Sequence, residues 1–191
     1  MILIIDNYDS FTYNLYQLVG LFSDNIKVAR NDEITIEEIH KLNVTHIIIS
    51  PGPGNPKNKR DFGICSEIIR EFKQIPILGV CLGHQGIFYN YEGQIIKSKP
   101  VHGKKDIIRH ENSILFEDIP KNFEIVRYHS LICDKKTIPE DIKVTSYNES
   151  GIIMSIEHKK YPTYGIQFHP ESIGNKYGSK IIKNFLKLRI D

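Results

Sequence analysis

The sequence predicts an α/β protein with an open, mostly parallel central sheet, helices on both of its faces, and an antiparallel strand extension in the C-terminal half. Three observations carry that expectation. Through Ile95, short apolar runs alternate with segments of helical periodicity. Those runs are continuously apolar, as in Ile2–Ile5 and Ile47–Ile49, which suits strands covered on both sides. Beyond them the strand-like runs follow one another with little but turns between, which suits antiparallel pairing.

Taken in order, Ile2–Ile5 reads as the first buried strand and Asp6–Ser10 as a polar turn. Phe11, Leu15, Leu18, Val19 and Phe22 then recur at helical spacing. Ile26–Ala29 is a second strand, and Thr35–Leu42 a short helix opened by a good N-cap residue. Thr45–Ile49 makes a third strand, ended by Pro51-Gly-Pro-Gly54. Phe62–Phe72 is helical, and Pro76–Val80 is a fourth strand that runs into Cys81. In the second half Ile107–Arg109, Phe123–Val126, Ile142–Tyr147, Ile152–Ile156 and Thr163–Phe168 read as strands, closed by a helix over Lys176–Leu188. No repeat, low-complexity tract or linker interrupts the pattern, so one domain over 1–191 is expected.

Composition narrows the function classes. The chain has 191 residues, 40% hydrophobic and 25% charged, as an ordinary globular domain does. Its net charge of +2 comes from scattered lysines and acids, which gives no case for nucleic acid or an anionic membrane as partner. The longest apolar runs are far too short to cross a bilayer. The first strand starts at Ile2, so no signal peptide is expected. Three cysteines, Cys65, Cys81 and Cys133, lack paired spacing, and no Cys/His cluster resembles a zinc site. A reducing compartment, the cytoplasm, fits best. Abundant Ile, Lys and Asn, with Ala29 the sole alanine, suggest an AT-rich genome; a plastid stroma is the expectation if that genome is an organelle's.

Chemistry concentrates at two places. Gly79-Val-Cys-Leu-Gly83 lies where a buried strand meets a helix, the Gly-x-nucleophile-x-Gly arrangement of a nucleophile elbow with cysteine as nucleophile. A sharp strand-to-helix turn strains the central residue, and only glycines on either side leave room for it. An ordinary thiol, with a pKa of about 8.5, is only a few per cent ionised at neutral pH. A helix N-terminus favours the thiolate and leaves the Leu82 N–H free for a developing oxyanion. Cys65, on an apolar helical face, and Cys133 have no such setting and read as packing residues.

The second place is His169-Pro-Glu-Ser172, at the end of a strand. Pro170 holds His169 extended, so the imidazole can stand at the sheet edge as a base. Glu171 can turn back onto its second nitrogen, fixing the tautomer and stabilising the imidazolium. Pro51–Gly54 is, by itself, equally a plain turn, and Gln85 equally a helix-surface amide.

With these motifs in place, the chain resembles the class I (triad) glutamine amidotransferases over essentially its whole length. The resemblance rests on Asp6-Asn-Tyr-Asp-Ser-Phe-Thr12, Arg30-Asn-Asp-Glu-Ile34, Ser50-Pro-Gly-Pro-Gly54 and Leu78-Gly-Val-Cys-Leu-Gly-His-Gln85. Later blocks are His102-Gly-Lys104, Arg127-Tyr-His-Ser-Leu131 and Tyr164-Gly-Ile-Gln-Phe-His-Pro-Glu-Ser172. Within the family it is most similar to the glutaminase subunits of anthranilate synthase and of para-aminobenzoate synthase, and one such protein can serve both. The resemblance implies that Cys81 attacks the side-chain amide of L-glutamine, with His169 and Glu171 completing the triad. It implies a glutamine site lined by Gly52, Pro53, Gly54, Gln85, Ser130 and Leu131, with the Gly54 and Leu82 amides as oxyanion donors. It also implies a separate chorismate-binding component I that takes the ammonia. No metal or cofactor is implied in this chain, and Mg²⁺ belongs only to that partner.

Three places depart from the family pattern. Lys105-Asp106 follows His102-Gly-Lys104 where a small hydroxyl residue is usual, Gly86 replaces alanine, and Glu92 stands where glycine is common. Two other function classes share parts of the pattern. A stand-alone thiol hydrolase would turn over robustly without a partner. A catalytically silent binding subunit has no need of Cys81, His169 and Glu171 together.

Overall fold

The computed structural model describes residues 1–189, so the last two residues of the expected 1–191 span lie outside the description. The first half runs β1 (Ile2–Asp6), α1 (Thr12–Gly20), β2 (Ile26–Arg30), α2 (Ile36–Lys41), β3 (His46–Ile49), α3 (Lys59–Phe62), α4 (Cys65–Glu71), β4 (Ile77–Val80) and α5 (Leu82–Asn90). The second half runs β5 (Ile95–Lys97), β6 (Lys104–His110), β7 (Asn122–Arg127), β8 (Leu131–Cys133), β9 (Ile142–Asn148), β10 (Ile153–His158), β11 (Thr163–Ile166) and α6 (Gly178–Leu186).

One nine-stranded sheet has the order β2-β1-β3-β4-β11-β10-β9-β6-β7. Strands β2, β1, β3, β4 and β11 pair in parallel, and β10, β9, β6 and β7 continue the sheet antiparallel. The expected α/β architecture is therefore the observed one. Period-two alternation divides the core between the two faces. Leu3, Ile5, Ile47 and Ile49 pack with Ile39 of α2, Ile68 and Ile69 of α4 and Ile87 of α5. Ile2, Ile4, Ile48 and Val80 pack on the other face with Leu15 and Val19 of α1 and Ile181, Ile182 and Phe185 of α6.

Local chemistry explains the boundaries. Helix α2 opens with a reciprocal capping box: Glu38 N donates to Thr35 Oγ1 at 3.2 Å, and Thr35 N donates to Glu38 Oε2 at 2.8 Å. The helix expected over Phe62–Phe72 forms as α4 from Cys65, while Phe62 ends the separate turn α3, because Gly63 adopts φ +49° between them. A side chain there would meet the Asn31 carbonyl oxygen at 2.2 Å, so the break is built in. Strands β5 and β8 had no periodic signal at three residues each, and pair with one another as a separate ribbon.

This topology gathers chemistry at one edge. Parallel neighbours β1, β3, β4 and β11 all end on the same side, where open α/β sheets carry their ligands. Val80 is level with Ile166 across the β4–β11 ladder, so the chain leaves the two strands at the same height, at Cys81 and at Gln167.

Candidate active site

Cys81 is the residue between β4 and α5, and its backbone sits at φ 51°, ψ −97°. This is a strained setting for a side chain, stored where structure on both sides enforces it. Its N–H is tied to Ile166 O at 2.8 Å, and its carbonyl accepts from Gln85 N at 3.0 Å. The flanking glycines are steric necessities: a Cβ on Gly79 would lie 2.4 Å from the Gly83 carbonyl carbon, and one on Gly83 2.4 Å from Ile49 O. The first amides of α5, Leu82 among them, have no helical acceptor by position. Burial pushes the thiols of Cys65 and Cys133 upward, so neither is set up as a nucleophile.

His169 follows β11 on a tight turn. Its carbonyl accepts from Ser172 N at 3.2 Å and Asn175 Nδ2 at 2.9 Å. Gly178, at the start of α6, lets that helix press on the turn, since a Cβ there would fall 1.8 Å from Pro170 O. Nδ1 of His169 lies 2.6 Å from Glu171 Oε1, with both side chains almost wholly buried. The rings of Phe11 and Tyr128 meet the imidazole edge-on, with centroids at 6.0 and 5.1 Å. The opposite nitrogen, Nε2, is buried with no hydrogen-bond partner, and Cys81 is close enough to act on the charge of the ring. Burial works against a charged ring, yet Cys81 and Glu171 together outweigh it and hold His169 well above its ordinary value. A protonated imidazole beside sulfur is what a thiolate nucleophile uses.

The remaining expected residues fall around this pair. Gly52 packs against the elbow, since a Cβ on it would come within 2.9 Å of Leu82 Cδ2 and 2.6 Å of Asn7 Cβ. Asn7 anchors the loop: its side chain donates to Ser50 O, and its N–H to Ser50 Oγ, each at 2.9 Å. Pro53 is exposed, and Gly54 takes φ +90° against Asp61, where a side chain would collide. Gln85 and Leu131 meet directly, with Gln85 Nε2 donating to Leu131 O at 3.0 Å. Ser130 is exposed beside them, and its carbonyl accepts from Ser98 N at 2.8 Å.

One residue of the site was not singled out from sequence. Gln167 is fully buried, accepts from Gln85 Nε2 at 3.0 Å, and directs Nε2 at Cys81 Sγ at 3.6 Å. The signal was present: Gln167 is a polar residue in an apolar run, two positions before His169 and therefore on the same face of an extended chain.

A nucleophilic sulfur, a base held by a carboxylate, and free amides at a helix start make a set that can carry acyl transfer. Residues 3–188 match the family model described as glutamine amidotransferase class-I. The chain belongs to that family. Among amidotransferase relatives, one named anthranilate synthase component 2 from Methanothermobacter marburgensis is 53% identical, covering 98% of both chains. Another of the same name from Pyropia yezoensis is 52% identical, covering 98% of this chain and 99% of its own. The fold recurs in the crystal structure of a glutamine amidotransferase from Thermotoga maritima, at 14% identity and TM-score 0.72, covering 97% of this chain and 96% of that one. It recurs more closely in a crystal structure from Thermoplasma acidophilum that is named for GMP synthase, at 24% identity and TM-score 0.85, covering 97% and 92% of the two chains. Among the described residues of this amidotransferase, no helix is long and apolar enough to cross a membrane.

Proposed function

We propose that this chain is the glutaminase subunit of an anthranilate synthase, hydrolysing L-glutamine and passing ammonia to a chorismate-binding component I. The observation that carries the chemistry is the buried His169–Glu171 contact at 2.6 Å, on a ring whose other nitrogen is left without a partner and on which Cys81 also acts. The names of relatives about half identical over full length support the branch.

In this reading the Cys81 thiolate attacks the side-chain amide carbon of glutamine, and the Leu82 and Gly54 amides receive the oxyanion. His169 gives its proton to the departing amine, so ammonia leaves and a glutamyl thioester remains. The same imidazole then takes a proton from water, which attacks the thioester and frees glutamate and the thiol. Gly52, Pro53, Gln85, Ser130 and Leu131 hold the glutamine. No step asks for a cofactor here, and Mg²⁺ would serve the partner, where ammonia and chorismate give anthranilate and pyruvate. The site of this work would be the cytoplasm, or a plastid stroma if the gene is organellar.

The test is glutamine-dependent anthranilate formation by the chain with a chorismate-binding partner, for wild type and Cys81→Ser. Little glutaminase activity alone, stimulation by partner, and loss in the variant with ammonium-driven synthesis retained are expected. Glutamine-dependent synthesis by Cys81→Ser would refute the assignment. Partner capture favouring a para-aminobenzoate synthase would move the chain to that branch.

A further inference from the structure

The motif Arg127-Tyr-His-Ser-Leu131 carries two buried groups that the reaction above leaves idle. Arg127 Nε donates to His129 Nε2 at 3.0 Å, and His129 Nδ1 stands 3.0 Å from Leu131 O. Since Nε2 accepts, the proton is on Nδ1, and the ring donates to that carbonyl. Leu131 O is the same oxygen that receives Gln85 Nε2. At the far end, Arg127 Nη1 donates to Asp106 Oδ2 at 2.6 Å, and Asn148 Nδ2 donates to the same oxygen at 2.8 Å. The Arg127 and Asp106 side chains are only 8% and 18% exposed, so this is an ion pair largely removed from water.

We infer that His129, locked in one tautomer by the Asp106–Arg127 pair, is a positioning residue for the glutamine seat. The inference rests on the glutaminase reading and deepens it. A carbonyl with two donors is pinned in direction, and the Ser130–Leu131 backbone with it. From there Gln85 passes to Gln167, and Gln167 to the Cys81 sulfur. A ring donor on one side and an amide donor on the other thus tie the antiparallel extension to the edge of the parallel half. Burial, with the Arg127 charge beside it, pushes His129 down to about 4, which keeps Nε2 free to accept across the working range.

The experiment uses the complex with a chorismate-binding partner and compares wild type, His129→Phe and Arg127→Lys. Phenylalanine keeps the ring volume and loses both nitrogens; lysine keeps the charge toward Asp106 and loses the donor to His129. Glutamine KM is expected to rise about tenfold or more in His129→Phe and by less in Arg127→Lys. In both, kcat should stay within about threefold, and alkylation of Cys81 by iodoacetamide should keep its wild-type rate. A KM within about twofold of wild type in both variants overturns the inference, as does a fall in kcat that tracks a fall in alkylation rate. Should His129→Phe fail to fold, Arg127→Lys decides alone by the same criteria. Absence of glutamine-dependent product from the wild-type complex would instead remove the underlying reading, a result the wild type reports by itself.

Discussion

Gly86 and Phe62 fit against each other without slack: a methyl group at position 86 would fall 1.9 Å from Phe62 Cζ. Gly86 lies inside α5, where glycine costs about 1 kcal/mol against alanine. The cost is borne because the ring fills the space that an alanine side chain would take. Gly86→Ala is therefore expected to destabilise the fold by about 1–3 kcal/mol through overpacking, despite its better helix propensity. Adding Phe62→Leu should recover part of that loss. Urea unfolding of the two single variants and the double variant measures the coupling, and strict additivity would show that the two residues do not compete for volume.

A second prediction follows from the backbone of Cys81 at φ 51°. Glycine adopts such angles freely and alanine does not. Cys81→Gly should be more stable than Cys81→Ala by about 1–2 kcal/mol, while both lose glutamine turnover. Thermal unfolding of the pair tests this, and equal midpoints would mean the elbow is not strained.

The ionisation of His169 makes a third. Burial opposes its charge, but Cys81 and Glu171 push it from 6.5 up to about 10. The folded chain therefore holds a proton that the unfolded chain releases. That contribution to stability is whole below pH 6.5 and is lost as pH climbs through about 10. Wild type should lose stability across that window, and Glu171→Gln distinctly less. Denaturant unfolding at pH 6.5, 8 and 9.5 reads the slopes; parallel curves would contradict the coupling.

On the acid side the sign is reversed. Burial pushes His84 down to about 3, and burial with the Arg127 charge beside it pushes His129 down to about 4. Both rings are neutral when folded and take up protons on unfolding below their ordinary 6.5. Their contribution is complete above pH 6.5 and is lost as pH falls toward those values. Unfolding near pH 5 should accordingly release stability at up to about 2.8 kcal/mol per pH unit, two protons' worth. A slope near zero between pH 6 and 5 would mean that the two rings are already charged in the fold.

What was legible in the sequence was whatever is written in short-range pattern. Ile2–Ile5, Ile47–Ile49 and the strand before Cys81 announce themselves because both sheet faces are covered, and a strand buried on two sides must be apolar throughout. The elbow was legible because its glycines are steric necessities. The break at Gly63 was not, because the Asn31 backbone that crowds it is distant in sequence. Gln167 and His129 escaped for a related reason: each is defined by partners in other elements, Gln85 and Cys81 for one, Arg127 and Leu131 for the other. Strands β5 and β8, three residues each, pair only with each other and bury little, so neither leaves a period to detect.

The strand that delivers His169 is the last among the described residues, yet it lies in the middle of the sheet, beside β4. Strand β4 therefore has β3 on one edge and depends on residues from Thr163 onward for its other neighbour. Pairing of base and sulfur is thus tied to completion of the sheet: the imidazole reaches the elbow only once β11 has taken its place beside β4.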